Sequence, residues 1–455
     1  MERIHLHEHF NYRKLFRFVL PSVAMLVFVS IYGIVDGFFV SKYAGPLPFA
    51  ALNLIFPLIM ILGSVGFMLG TGGNAVVSKY LGEGDSDKAK RIFSMLVYVT
   101  IVIGVVLSVS GILVARPVAK LFAAADETLT AEERVQLIEY CVIYARIILS
   151  ALPAFMLQNA FQGFFVTAEK PRLGLYVTLM AGCSNMVLDA LFVAVFGGEL
   201  VGAAIATALS QCIGGVLPLL YFARKNDSLL RLGKGPFDGK VLLGVCVNGM
   251  SELMANIALS VVAIFYNAQL MKYVGLIGVS AYGIVNYVGF IFVAVFIGYA
   301  VGTAPIVGYQ YGAENKSELN NVLNKSIVIT SVLGVFMMLF AVVFATPLSA
   351  IFTHGDEELL ALTVRGLRLY SLCFLLVGVN IYVSSFFTAL SNGAISLFLS
   401  TVRTFLLPTV AVFTLPLILE VDGIWLSIGI GEVLALFHSL LMLSVMRKRY
   451  GYWQR

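Results

Sequence analysis

Apolar runs long enough to cross a bilayer recur along the chain from Leu15 to Met446, separated by short polar stretches. A membrane helix needs about 20 mostly apolar residues. The run boundaries predict twelve spans, at roughly 15–41, 48–81, 92–115, 135–167, 173–196, 200–223, 241–271, 276–311, 322–345, 359–390, 395–419 and 423–446. The expected fold class is an all-α membrane protein of twelve transmembrane helices, with no room for a soluble domain.

The pattern also repeats. Lys42-Tyr43-x-Gly45 returns as Lys272-Tyr273-x-Gly275, and at the same spacing Ala51, Gly72 and Gly82 meet Ala281, Gly302 and Gly312. Both copies end in a hydrophilic turn, LGEGDSDKAKR and YGAENKSELNN. Further on, Asn159, Thr167-Ala168 and Gly202 meet Asn380, Thr388-Ala389 and Gly423. A repeat of six spans, an even number of crossings, is a parallel repeat about an axis along the membrane normal. Two pseudo-symmetric six-helix lobes follow: residues 1–223 with spans one to six, a cytoplasmic linker at 224–240, and residues 241–455 with spans seven to twelve.

Composition agrees: 60% of residues are hydrophobic and 12% charged, about half the roughly 25% charge of a soluble domain. The charged start from Met1 to Arg17 predicts no cleavable signal peptide. The five cysteines all fall inside predicted spans and imply no disulfide framework. The net charge of +5 reports topology, because 21 Lys and Arg lie on one side of the twelve-span frame and seven on the other. The positive-inside rule then places both termini and the basic 224–240 loop in the cytoplasm, within the inner membrane. The acidic loop from Ala123 to Glu133, with Asp126, Glu127, Glu132 and Glu133, falls outside. The partner implied is the lipid bilayer, with no nucleic acid, and the expected state is a monomer.

A charge in mid-membrane costs several kcal/mol, so the few inside spans are informative. Asp36 lies in IYGIVDGFFV, deep in span one. Asn185 and Asp189, four apart in span five, share a helix face and offer oxygen ligands suited to a hard cation. In span seven Asn248, Glu252, Asn256 and Ser260 form a polar stripe that must face protein or water. The bland reading of each is a hydrogen-bonded structural residue, strongest for Glu252 with its neighbouring asparagines. Arg403 and Glu432, both near mid-depth in the last two spans, are expected to pair structurally. HLHEHF precedes the first span, lacks the spacing of a helical metal site and is expected to be a solvated tail. No phosphate-cradling Gly-rich loop and no His-Glu-x-x-His occur, so neither an enzyme nor a cofactor is expected.

Twelve spans in two lobes, Pro21 early in span one, Asp36 fifteen residues later and LGEGDSDKAKR after span two together resemble the MATE (multidrug and toxic compound extrusion) family of the MOP superfamily. The resemblance covers about Phe16 to Met446. It implies secondary active efflux of lipophilic organic cations by antiport against Na⁺ or H⁺, with alternating access. Family members with an N-terminal cation site use positions matching Asp36, Asn185, Asp189, Ala203 and Thr207, and Na⁺ would be held by Asp36, Asn185, Asp189 and Thr207. A second, C-terminal site in some members matches Glu252, with Asn256 nearby, but its Asp falls on the uncharged Asn380. That departure moves the expected coupling site to the N-terminal lobe. Pro21, which removes a helix hydrogen bond, is the expected bend of span one. The alternative within the superfamily is a lipid-linked saccharide flippase, which would need buried Arg or Lys for pyrophosphate; only Arg403 is available.

Overall fold

The computed structural model describes residues 4–124, 130–353 and 355–453. The Asp126 and Glu127 part of the expected outer loop lies outside those residues. Among the described residues the secondary structure is helical without strands, and 11 helices, or 12 if a bent pair is counted as one span, are long and apolar enough to cross a membrane. In chain order the first half contains α1 (Tyr12–Tyr43), α2 (Pro46–Gly82), α3 (Ser86–Ala124), α4 (Ala131–Ser150), α5 (Leu152–Thr167), α6 (Pro171–Asp189) and α7 (Glu199–Ala223). The second half contains α8 (Gly239–Tyr273), α9 (Leu276–Gly312), α10 (Lys316–Val343), α11 (Ala345–Thr353), α12 (Glu357–Tyr370), α13 (Phe374–Ala389), α14 (Gly393–Thr401), α15 (Leu407–Thr414) and α16 (Pro416–Tyr450). The bilayer-length helices carry bare apolar side chains outward, such as Val102, Leu113, Val195 and Ile418, as lipid contact requires.

Among the described residues one span is bent, and two loosen into a π-helical turn, where the hydrophobic pattern reads continuous. The fourth bends by 53° between α4 and α5. Pro153, second residue of α5, lacks an N–H for Leu149 and its ring crowds that carbonyl. The eleventh runs through a π-helical turn, Val402–Leu406, just before Pro408. That proline leaves the Thr404 carbonyl without its helical donor, and the ladder shifts register. By contrast α1 passes through Pro21 as one continuous helix.

The duplication is written into the backbone as well as the side chains. Gly45 (φ 90°) is matched by Gly275 (φ 83°), Glu169 (φ 57°) by Ser391 (φ 57°), and Glu199 (φ 45°) by Glu420 (φ 50°). Left-handed backbone costs an L-residue roughly 1–2 kcal/mol, so its recurrence at equivalent turns reflects a shared chain path. The turns after α5 and α13 close identically: Glu169 N–H donates to Val166 and Lys170 N–H to Phe165, as Ser391 does to Thr388 and Asn392 to Phe387.

The chain clusters into two compact units. One comprises the described residues of 28–77 and 85–249, the other those of 4–27, 78–84 and 250–453. In the first, α2 and α8 cross at Gly72 and Gly249, whose missing Cβ atoms make room for the Val245 and Met68 carbonyls. In the second, α9 crosses the start of α1 at Gly298 and Gly302, against Val23 and Val19. A phenylalanine cluster, Phe93, Phe161, Phe164 and Phe222, fills the first unit between α3, α5 and α7.

The tail expected to be solvated is not. Leu6 and Phe10 are fully buried in the second unit, where Phe10 N–H donates to Glu318 at 2.9 Å and His9 Nδ1 meets the same carboxylate at 2.6 Å. Gln310 and Lys325 donate to the Leu6 and Phe10 carbonyls. Polar residues dominate HLHEHF, but two apolar positions within it, Leu6 and Phe10, anchor a strap on α9 and α10. The exposed side is tied locally: Lys14 donates to Glu8 and holds that carboxyl below its usual range.

Candidate functional site

In the first unit α1, α6 and α7 bring together four residues separated by up to 171 positions. Thr207 Oγ1 donates to Asp36 Oδ1 at 3.3 Å, and Asn185 Nδ2 donates to Thr207 Oγ1 at 3.4 Å. Asp189 lies one turn beyond Asn185 at the end of α6, beside Asp36. It is 0% exposed, yet neither carboxyl oxygen receives an N–H or hydroxyl donor, its polar neighbour being the Asp36 carboxyl, and Asn185 Oδ1 is likewise unpartnered. Among the described residues no Lys or Arg pairs with Asp36 or Asp189. Ala203 is buried one turn before Thr207 on α7.

Local sequence explains the placement. Gly182, one turn before Asn185, lets α1 approach α6: a Cβ there would stand 2.5 Å from Phe28 and 2.7 Å from Tyr32. Immediately after Asp189 the helix loosens into a π-helical turn, Ala190–Val195, a distortion frequent at functional sites. The result is a set of hard oxygen donors at membrane depth, with two acidic groups and, among the described residues, no basic side chain paired with them. Burying an uncompensated charge is strongly unfavourable, and groups of this kind can take up a proton or hold a small hard cation.

Comparison with known proteins meets the same architecture. The model of the MatE family matches residues 21–191 and 253–414, well over half of the sequence. The chain belongs to the MATE family. MepA, named a multidrug export protein, is 22% identical in Staphylococcus saprophyticus and 23% in Staphylococcus haemolyticus, over 441 residues that cover 96% of this chain and 94% of each relative. Crystal structures of a MATE protein in a straight and in a bent conformation superpose with TM-scores of 0.89 and 0.85 at 20% and 21% identity, each covering 97% of this chain and 98% of that one. A MOP superfamily transporter from Pyrococcus furiosus, described as having a binding pocket of reversed polarity, gives 0.88 at 20% identity over 98% of both chains. At these identities the structural likeness speaks to the MATE fold.

The C-terminal residues group differently from the sequence expectation. Asn380 turns to Glu432, donating to Oε2 at 2.7 Å and to its carbonyl at 3.0 Å. Asn256 donates to the Glu252 carbonyl one turn back. Glu252 itself lies within electrostatic reach of Arg403. Arg403 and Glu432 pair as expected, at 2.8 Å. Pro21 lies four turns before Asp36 and takes no part in the cluster.

Sequence reasoning missed two tyrosines beside the carboxylates and the glutamine that one of them meets. Tyr32, one turn before Asp36, faces Gln158 and lies near Asp36. Tyr144 on α4 lies near both Asp36 and Asp189. The spacing of Tyr32 from Asp36 was a usable signal. Nothing in the chain around Tyr144 or Gln158 marks them, because their surroundings in sequence are apolar.

Proposed function

We propose that the protein exports lipophilic organic cations in exchange for Na⁺ or H⁺, using the cluster of Asp36, Asn185, Asp189, Ala203 and Thr207 as coupling site. The observation that carries this reading is the pair of intramembrane carboxylates, which have no basic partner among the described residues. Loaded with a proton or Na⁺, the pair is closer to neutral and stable at membrane depth. Unloaded, it is a negative centre that attracts a cationic substrate or favours another packing of α1. Alternating access then couples the two because loading and substrate attraction are opposite charge states of the same acids. The name carried by the staphylococcal relatives supports the multidrug character of the cargo.

On this reading the halves 1–223 and 241–455, joined by 224–240, work as a monomer in the cytoplasmic membrane with both termini inside. A saccharide flippase is disfavoured because a pyrophosphate needs free buried cations, and Arg403 is already bound to Glu432. The experiment is efflux of a lipophilic cationic dye from proteoliposomes under an imposed pH gradient or an imposed Na⁺ gradient, one at a time. Uphill dye movement under one of them is expected; movement under neither would overturn the proposal.

A further inference from the structure

The second unit contains its own buried carboxylate in mid-span, and its surroundings differ from those of Asp189 in one respect. Glu432 on α16 is 7% exposed on its side chain and receives Arg403 Nε at 2.8 Å on Oε1 and 3.2 Å on Oε2. Asn380 on α13 donates to Oε2, and Ser439 Oγ holds the Asn380 amide in that orientation by donating to its Oδ1 at 2.9 Å. Every oxygen of the carboxylate has a donor and its charge has a partner. At Asp189, also buried, the oxygens meet the acidic Asp36 in place of an N–H or hydroxyl donor, and among the described residues no basic side chain pairs with it. The Arg403 guanidinium is carried by the π-helical turn ahead of Pro408. Guanidinium does not lose its proton in proteins, so this cation cannot leave.

We propose that Arg403 is the resident counter-cation of the C-terminal half, filling within the chain the role that an exchangeable ion plays at Asp36 and Asp189, so that cation exchange runs through the N-terminal cluster alone. The inference rests on the proposed function in that an ion is exchanged at that cluster. The other charged group facing Arg403 is Glu252 on α8, whose side chain it attracts without contact. Ser400, one turn before Arg403, bonds the Ser251 carbonyl at 3.1 Å and fixes α14 against α8.

The test follows carboxyl protonation by infrared difference spectroscopy and ²²Na⁺ binding on the purified full-length protein, across an acid titration and a Na⁺ titration. In wild type the cation-induced signal should vanish in Asp36→Asn with Asp189→Asn and be unchanged in Glu432→Gln. Arg403→Met should gain a new protonated-acid band or one further bound Na⁺, absent in Arg403→Lys and in Arg403→Met with Glu432→Gln. Loss of part of the wild-type signal in Glu432→Gln overturns the inference without requiring the methionine variant to fold. So does Arg403→Met with no new signal, or one that disappears with Glu252→Gln and not with Glu432→Gln. A wild-type protein whose signal survives Asp36→Asn with Asp189→Asn would overturn the proposed function itself, and this inference with it.

Discussion

At the scale of single residues, function turns on which intramembrane charges have partners. Asp36→Asn keeps the size of the side chain and removes the charge, so gradient-driven efflux should fall to background while the purified protein keeps its elution profile. Because the change also removes an intramembrane charge that no basic side chain neutralises, thermal stability at alkaline pH without Na⁺ should rise rather than fall; a drop in melting temperature would mean the acid is satisfied in a way the geometry does not show. Thr207→Val removes one donor to Asp36, worth about 1 kcal/mol, and should weaken apparent ion affinity roughly fivefold in efflux titrations. Unchanged affinity would remove Thr207 from the site. Asp36, Asn185 and Asp189 were legible in the sequence because a polar or charged group in an apolar span is costly and persists only where it faces the protein interior or a water-filled cavity. The same logic exposed Arg403 and Glu432. Asn380 was misplaced because its direction is decided by Glu432 and Ser439, on a helix that periodicity cannot orient, and Tyr144 was invisible because a tyrosine in an apolar helix looks like packing.

At the scale of elements, the site depends on how closely α1 approaches α6. Gly182→Ala would place a Cβ 2.5 Å from the Phe28 ring and 2.7 Å from the Tyr32 ring, closer than side chains tolerate, so the rings and the helix that carries them are expected to shift. Asp36 would then move from Thr207, and coupling should fall by roughly tenfold, equivalent to about 1.4 kcal/mol, with expression retained. Efflux equal to wild type would show that the crossing is looser than described. Helix length and number were readable from apolar runs, but the breaks were not. Pro153 marks the bend between α4 and α5 in retrospect, whereas Pro21 sits in an unbroken α1. Proline removes a hydrogen bond in both; packing decides whether the helix bends. The terminal strap escaped notice because HLHEHF is polar on average, although Leu6 and Phe10 are its buried anchors. Glu318→Ala should detach it, costing about 1–3 kcal/mol for the stranded Phe10 N–H and its partners, read as a lower melting temperature and faster proteolysis before α1.

At the scale of the molecule, the repeat was visible in sequence at Gly45 and Gly275, where a left-handed turn favours glycine, but not at the equivalent turns of Glu169 and Ser391, whose side chains differ. It was faint elsewhere, since lipid-facing positions accept any large apolar side chain. The Lys and Arg bias predicts an orientation with both termini in the cytoplasm. A cysteine at the exposed Glu358 should react with a membrane-impermeant thiol reagent in intact cells and one at the exposed Lys225 should not, in a background lacking the native cysteines; the reverse pattern would invert the protein. On the proposed mechanism, carboxylates without a resident cation are what make the protein an ion-coupled exporter. The most direct test is reciprocal: a downhill gradient of the dye should drive uptake of ²²Na⁺ or protons into proteoliposomes, and Asp36→Asn should abolish that uptake. Dye movement without accompanying cation movement in the wild type, or cation uptake that survives Asp36→Asn, would contradict it.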